Sequence, residues 1–230
     1  RFGCDGPIAI IPNGVEANPE ANPAQFLQAF PQAQGKRLVL FLGRIHFKKG
    51  VDLLVNAWAE VAAQFPDAML VLAGPDSEGT LANVSETVTR LKLQERVLFT
   101  GMLNADMKWS ALASATCFVL PSYSEGLSVA ALEAMSMGVP LILSNECNLP
   151  DIAEHGAGWL VQTQVSSVAQ ALHTALLCGT DEHRAMQERA RALAILEYSW
   201  SSVGKRMAAV YHWVAGGPEP EGVELLQGRA

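Results

Sequence analysis

Short apolar runs alternate with longer segments of helical periodicity through most of this chain. The runs are apolar at successive positions rather than at every second one, which is typical of parallel strands buried on both faces. The segments between them repeat apolar residues at the spacing of an amphipathic helix. This pattern predicts strands at 37–42, 68–73, 97–100, 117–120 and 141–143, and helices at 51–64, 81–91, 105–114 and 125–137.

Both ends of the chain depart from this alternation. The N-terminal side has a short apolar run and an Asn-Gly turn, followed by a Pro-, Ala- and Gln-rich segment that predicts a loop. Beyond Pro150, helical segments surround one more strand-like run. The elements predicted in these regions are a strand at 8–11, a helical turn at 24–29, a short helix at 151–154, an edge strand at 156–161, and helices at 165–177, 181–196 and 203–214.

Strands that alternate with helices predict an α/β fold, here a Rossmann-like doubly wound parallel sheet with extra C-terminal helices. Ligands of such a sheet bind beyond the carboxyl ends of the strands, so the strand-to-helix loops are where the chemistry is expected. We divide the chain into a linker with the first strand (1–15), the sheet domain with its C-terminal helices (16–214) and a mobile tail (215–230).

Composition narrows the classes of function. Half of the 230 residues are apolar and 17% are charged, which is an ordered composition. The formal net charge of −7 argues against a nucleic-acid partner, because nucleic-acid binders usually carry a basic face. Any anionic ligand would therefore have to meet local positive groups.

The cysteines and the longest apolar run exclude further classes. Cys4, Cys117, Cys147 and Cys178 form no Cys-x-x-Cys pair, which excludes the usual zinc spacings and does not resemble a disulfide scaffold. We expect reduced thiols, no metal site and a cytoplasmic location. The run 127–143 contains a glutamate, a glycine and a proline, so it is a poor membrane span and the chain is expected to be soluble.

Two carboxylates, Glu125 and Glu133, stand out in the stretch after the strand at 117–120. On one helix they would lie about 12 Å apart along its axis. A glycosidase pair needs roughly 5–9.5 Å, so these two are not expected to act on one bond. They could grip the two ends of an elongated ligand, with the helix N-terminus offering N–H groups to an anion between them. The alternative is an ordinary helix with one capping and one surface glutamate, and this stretch alone does not decide.

Positive charge follows the strand at 37–42. Arg44 and Lys49 lie at the strand end where anions bind, and a guanidinium with an ammonium suits a diphosphate. The alternative is a solvated basic turn, which the acidic balance of the whole chain disfavours. Lys48 is expected to be solvated, and His46 is expected to be a loop residue because no carboxylate is near it in sequence.

Two more strand-to-helix loops carry weaker signals. Gly74 would let the backbone approach a ligand, although a tight connection is the favoured interpretation. The main chain after Gly101 could hydrogen-bond a planar base, and a simple turn explains this glycine at least as well.

Six short motifs occur in fixed order along the chain. Together they resemble the C-terminal, donor-binding domain of family 4 retaining glycosyltransferases, whose two-domain architecture is called GT-B. The resemblance covers nearly all of residues 8–214. The motifs are Ile-Pro-Asn-Gly-Val (11–15), Gly-Arg-x4-Lys-Gly (43–50), Ala-Gly-Pro (73–75), Phe-Thr-Gly (99–101), Pro-Ser-x2-Glu-Gly-Leu-x5-Glu-Ala-Met (121–135) and Gly-Val-Pro (138–140).

This resemblance implies roles for individual residues. Arg44 and Lys49 match the basic pair that holds the donor diphosphate and, with Glu125 beside the transferred sugar, form the implied catalytic set. Glu133 matches the glutamate that binds the ribose hydroxyls. Gly126 and Leu127 would meet the sugar, Ser128 and Val129 the phosphates, and Met102 and Leu103 the base. The remaining donor-binding residues implied are Gly43 and Gly74.

The chain departs from the family pattern at two places. Ser128 stands where many members have glycine, and would either tighten the phosphate loop or add a hydroxyl donor to it. The sequence after Ala73 is Gly-Pro-Asp where many members have Gly-x-Gly-Pro, which puts the base contact there in doubt.

The implied reaction moves a sugar from a nucleotide-diphosphate sugar to an acceptor hydroxyl with retention, in polysaccharide or glycoconjugate synthesis, without metal or cofactor. The N-terminal acceptor domain is absent from this chain, so we expect donor binding with little or no transfer. Any peripheral membrane association would involve only the absent half.

A nucleotide-sugar epimerase of the same architecture and a non-catalytic nucleotide-sugar-binding module remain as alternatives. The last helix is expected to expose apolar surface and to mediate self-association.

Overall fold

The computed structural model describes residues 6–18 and 20–226, and it confirms the α/β fold class. The strands are β1 (Ile8–Ile10), β2 (Arg37–Leu42), β3 (Ala68–Ala73), β4 (Val97–Gly101), β5 (Ala115–Leu120), β6 (Leu141–Ser144), β7 (Gly158–Val161) and β8 (Glu224–Leu226). The α-helices are α1 (Pro23–Ala29), α2 (Val51–Val61), α3 (Thr80–Arg90), α4 (Ala105–Ser114), α5 (Val129–Ser136), α6 (Asp151–Glu154), α7 (Val165–Leu177), α8 (Thr180–Tyr198) and α9 (Trp200–Val214). Short 3-10 helices cover Pro31–Ala33, Phe47–Lys49, Ala62–Gln64 and Asn145–Cys147.

Six parallel strands form the main sheet in the order β4-β3-β2-β5-β6-β7. The chain runs outward from β2 to β4, and then returns to place β5 on the other side of β2. The strand order therefore reverses between β2 and β5, and a doubly wound sheet opens a ligand crevice beyond the carboxyl ends of the strands at such a point. The loops that follow β2 and β5 border this crevice.

Helices cover the sheet in two groups. α2 contacts α3 and α7, whereas α1 contacts α4 and α5 contacts α8. This division follows from right-handed crossovers that change direction at the reversal point, and so change the face on which their helices lie. Both faces of the strands are consequently buried, which is why β3 is buried at all six of its positions. Within residues 6–18 and 20–226, no helix is long and apolar enough to cross a membrane.

The helix after β5 is shorter than predicted. It was expected over 125–137, but α5 begins at Val129 because the Ser128 hydroxyl accepts a hydrogen bond from the Ala131 N–H and caps the helix. Glu125 consequently lies in the preceding loop, so the helical estimate of its distance from Glu133 does not apply.

The chain ends also differ in detail from the sequence prediction. α9 begins at Trp200, earlier than expected, because the Ser199 hydroxyl caps it. β8 pairs antiparallel with β1, and this strand was not predicted within the tail. Residues 1–5 of the predicted linker, with Cys4, and residues 227–230 of the predicted tail lie outside the described residues. The mobility of the tail stays a prediction.

Candidate functional site

The loops after β2 and β5 meet directly at the reversal point of the sheet. The Tyr123 N–H donates to the Lys48 carbonyl at 2.8 Å and so ties the second loop to the first. Gly50 lies against the Pro121 carbonyl oxygen, with a φ of +67°, and a Cβ at Gly50 would come within 2.1 Å of that oxygen. Glycine is therefore required at this position both for its backbone conformation and for the close approach of the two loops.

Lys49 and Glu125 join these loops through an ion pair between the Lys49 Nζ and the Glu125 Oε1. The Ser122 hydroxyl donates to the same carboxylate oxygen at 2.9 Å. The side chains of Lys49 and Glu125 are 21% and 10% exposed, so the pair is partly shielded from water. The Asn148 amide fixes the main chain here by donating to the Glu125 carbonyl at 2.7 Å. The geometry thus brings together two of the residues that the sequence predicted for the site.

The loop after β3 packs against the loop after β2 through Gly43 and Gly74. A Cβ at Gly74, where φ is +146°, would lie 1.8 Å from the Gly43 carbonyl oxygen. The Gly74 N–H donates to the Gly101 carbonyl at 2.9 Å, and this contact ties in the loop after β4. The Ile45 N–H donates to the Pro75 carbonyl at 2.8 Å. Close backbone packing accounts for Gly74, whereas a Cβ at Gly43 would meet only the Phe41 ring, at 3.7 Å, so packing does not require glycine there.

Glu133 has a protein partner that the sequence did not reveal. Its carboxylate on α5 is 14% exposed and pairs with the Lys108 ammonium on α4 at 2.5 Å. Lys108 is thus a donor within the protein itself for a carboxylate that stands in an apolar stretch of sequence. Glu125 and Glu133 are each paired with a different lysine, so the two ion pairs are separate.

The N-terminal end of α5 lies between these two ion pairs in sequence. Gly126 is exposed and Leu127 is half-buried, whereas Ser128 is buried at 7% exposure by its capping role. Val129, the first helical residue, is 47% exposed. Because the first N–H groups of a helix have no partner within it, this end offers hydrogen-bond donors and partial positive charge to an anion.

The remaining predicted residues lie at the surface of the same sheet end. Arg44 and Lys48 are exposed on the loop after β2. Met102 is 76% exposed, and Leu103 is half-buried, between β4 and α4. An exposed Met side chain is adaptable and suits a flat apolar surface such as a base.

His46 lies in a loop, as the sequence predicted, but it has a carboxylate partner that is distant in sequence. It was set aside because no carboxylate lies near it in sequence, yet its Nε2 lies 3.2 Å from the Glu78 Oε2 and its side chain is only 8% exposed. Neighbouring parallel strands bring their following loops together, so residues 32 positions apart become partners. The hydrophobic periodicity of the sequence predicts strands and helices, but it does not predict which loop residues become partners.

The cysteines near the site are inert packing residues. Cys147 is buried behind the loop of Glu125, and its Sγ donates to the Leu120 carbonyl at 3.3 Å. Burial raises the pKa of the Cys147 thiol, and the negative charge of Glu125 raises it further. Burial raises the pKa of Cys117 to about 12. Neither thiol is suited to act as a nucleophile, because the thiolate is the reactive form.

Similarity to known proteins extends over most of the chain. Residues 18–193 match the family described as Glycosyl transferases group 1. Phosphatidyl-myo-inositol mannosyltransferase of Mycobacterium tuberculosis is 30% identical over 212 residues, which cover 90% of this chain and 54% of that protein. The chain spans about half the length of the curated relatives that it matches.

Solved structures show the same arrangement of sheet and helices. The C-terminal domain of the glycosyl transferase group 1 family protein LpcC from Francisella tularensis has a TM-score of 0.70 at 22% identity, and the match covers 79% of this chain and 95% of that domain. Anabaena HepE in complex with UDP-glucose has a TM-score of 0.76 at 21% identity, covering 88% of this chain and 57% of that one. At these identities the likeness shows the fold, which is that of GT-B glycosyltransferases.

Proposed function

Because the chain belongs to the group 1 glycosyl transferases, we propose that it is the donor-binding half of a retaining glycosyltransferase. It would bind a nucleotide-diphosphate sugar and, joined to an N-terminal acceptor domain, move the sugar to an acceptor hydroxyl. The observation that carries the proposal is the Lys49–Glu125 ion pair across the reversal point of the sheet, flanked by the N-terminal end of α5.

The donor would lie along the carboxyl ends of the strands. Lys49 and Arg44 would bind the diphosphate together with the first N–H groups of α5, since both cations and a helix N-terminus favour an anion. Glu133 would accept hydrogen bonds from the ribose hydroxyls, and Glu125 would lie beside the sugar. The HepE complex with UDP-glucose supports this class of ligand for a protein of the same fold.

The chemistry would consist mainly of stabilising the leaving diphosphate. Negative charge grows on the diphosphate as the bond to the sugar breaks, and preorganised cations and N–H dipoles lower the barrier where charge develops. Glu125, held in place by Ser122 and Lys49, would position the sugar or stabilise positive charge at its anomeric carbon. We propose that no metal takes part, because the protein itself supplies the positive charge.

Calorimetric titration of this chain with UDP-glucose, GDP-mannose and ADP-glucose tests the proposal. We expect one of the three to bind with a one-to-one stoichiometry, and its nucleoside diphosphate to compete for the same site. Glu133→Gln should weaken that binding, because the neutral amide is a poorer acceptor for ribose hydroxyls than the carboxylate. If the folded chain binds none of the three, the donor-site proposal is wrong.

A further inference from the structure

His46 is a buried titratable group on the same loop as the two basic residues. It is only 6% exposed, although it lies in the loop between β2 and α2, at the carboxyl ends of the strands. Its ring centroid lies 4.6 Å from that of Phe47, with the two ring planes tilted by 36°, and Phe47 is itself 55% exposed. A histidine buried on a loop requires partners for both ring nitrogens, and the structure provides them.

Each ring nitrogen of His46 has a defined partner. Nδ1 accepts a hydrogen bond from the Lys48 N–H at 3.1 Å, and Nε2 lies 3.2 Å from the Glu78 carboxylate. A nitrogen that accepts an N–H bond carries no proton of its own, so the ring proton lies on Nε2 and is donated to Glu78. This arrangement requires the neutral ring.

The bond at Nδ1 caps the short 3-10 helix Phe47–Lys49. The turn also has two main-chain bonds, from the Lys49 N–H to the His46 carbonyl and from the Gly50 N–H to the Phe47 carbonyl, both at 2.9 Å. Hydrogen-bond geometry in a 3-10 turn is poor, so a side-chain cap contributes a large share of its stability. Lys49, which forms the ion pair with Glu125, is the last residue of the same turn.

We propose that His46 is a positioning residue for donor binding: its neutral ring caps the turn that directs Lys49 towards the donor diphosphate. The inference rests on the proposed function. Protonation of Nδ1 replaces the acceptor with a donor that faces the Lys48 N–H, and the cap is lost. Donor binding therefore weakens as His46 takes up a proton.

Other titratable groups around His46 determine what a pH experiment must control. They lie on the loops that meet at this turn and on the helix that follows it. On the loop after β2 they are Arg44, Lys48 and Lys49; on the loop after β3, Asp76 and Glu78; on the loop after β5, Tyr123 and Glu125; and on α2, Asp52. A variant that keeps these groups and changes only the acceptor at Nδ1 isolates the contribution of His46.

Two substitutions separate the functions of the two ring nitrogens. His46→Asn places an amide oxygen where Nδ1 lies and keeps an acceptor for the Lys48 N–H, whereas His46→Gln reaches Glu78 and lacks that acceptor. With whichever of UDP-glucose, GDP-mannose or ADP-glucose the wild type binds, we expect His46→Gln to weaken binding about fivefold, the effect of a lost cap. His46→Asn should bind within about twofold of wild type, which is the scatter of such comparisons.

The pH dependence distinguishes positioning from folding. As the pH is lowered from about 8 to about 5.5, donor binding to wild type should weaken while binding to His46→Asn stays level. The phosphodiester groups of a nucleotide sugar do not titrate in this range. The protection factor of the Lys48 amide, which is the exchange rate of an unstructured peptide at the same pH divided by the rate of this amide, should fall over the same range in wild type and should be low at every pH in His46→Gln.

The outcomes separate this inference from the proposed function. If wild type binds a donor and His46→Gln binds it equally well, or if His46→Asn shows the same fall with pH, the positioning role is wrong and the donor site stands. If wild type binds none of the three donors, the proposed function fails and the positioning role fails with it. If His46→Asn does not fold, the donor affinity of His46→Gln and the protection of the Lys48 amide in wild type still test the positioning role. Unchanged values of both would show that role to be wrong.

Discussion

At the residue scale, Lys49 has an anionic neighbour within the protein itself. Its ammonium contacts Glu125, and lysine has three N–H donors, so this ion pair leaves donors for a phosphate oxygen. The pair also sets where the ammonium lies, since Glu125 is fixed by Ser122 and by the Asn148 amide. Binding of the donor would thus use a cation that is already positioned.

Replacing Lys49 with Ala should weaken donor binding at least tenfold, because a hydrogen bond to a charged group contributes about 1.5–3 kcal/mol. In the protein joined to its acceptor half, the same change should abolish transfer. Calorimetry and a turnover assay measure the two effects. Lys48→Ala is the matched control, since Lys48 is an exposed neighbour on the same turn. Undiminished transfer by Lys49→Ala would show that the ammonium has no part in the reaction.

The individual residues that the sequence predicted are those marked by an unusual local context. Glu125 and Glu133 were found because two carboxylates in an apolar stretch are conspicuous. The cation Lys108 and the His46–Glu78 pair were missed, because each pair joins elements far apart in sequence. Such pairing depends on which helices and loops pack together, which residue spacing does not specify.

At the element scale, the start of α5 depends on one hydroxyl. Ser128 caps the helix, and loss of an N-cap serine to alanine costs about 1 kcal/mol, whereas glycine costs only a few tenths. We therefore expect Ser128→Ala to lower the free energy of unfolding by about 1 kcal/mol and Ser128→Gly to change it little. Urea denaturation measures both. Equal losses in the two variants would contradict the capping role.

Gly50 and Gly79 form a natural comparison for the junction of loop and helix. Each is the residue before a helix, with φ of +67° and +73°, but a Cβ at Gly50 would meet the Pro121 carbonyl whereas one at Gly79 meets nothing within 4 Å. Gly79→Ala should cost about 1–2 kcal/mol for its left-handed backbone alone. Gly50→Ala should cost about 1–3 kcal/mol more, because the loops after β2 and β5 must separate. Similar unfolding free energies for the two variants would show that the contact at Pro121 relaxes without cost.

The strands of the main sheet were the most predictable elements. Arg37–Leu42 and Ala68–Ala73 match their predicted bounds, because a strand buried on both faces is apolar at successive positions and each of these two runs ends directly before a glycine. Among the helices, α4, α6 and α7 also match their predicted bounds. The starts of α5 and α9 were missed, since each begins at a serine cap whose effect depends on the local backbone. β8 has no such signature, because a short strand that is mostly exposed needs no apolar pattern.

At the scale of the whole molecule, α9 leaves an apolar stripe exposed. Trp200, Tyr211 and Val214 are 60%, 68% and 77% exposed, and together with Met207 they recur at the spacing of one helix face. The Trp200 ring also packs against Gly14. The prediction that the last helix exposes apolar surface is confirmed. A contiguous exposed stripe of this kind favours association, because covering it removes apolar area from water.

We therefore expect this chain to self-associate through α9 as its concentration rises. Size-exclusion chromatography with light scattering should give a mass above the 24.6 kDa of one chain at high concentration. Tyr211→Glu combined with Val214→Glu should restore the mass of a single chain at high concentration, because burying two carboxylates against an apolar partner is costly. Leu177→Glu is the control, since Leu177 is 64% exposed on α7 and lies outside the stripe. A single-chain mass at every concentration, or equal dissociation by the control, would contradict association through α9.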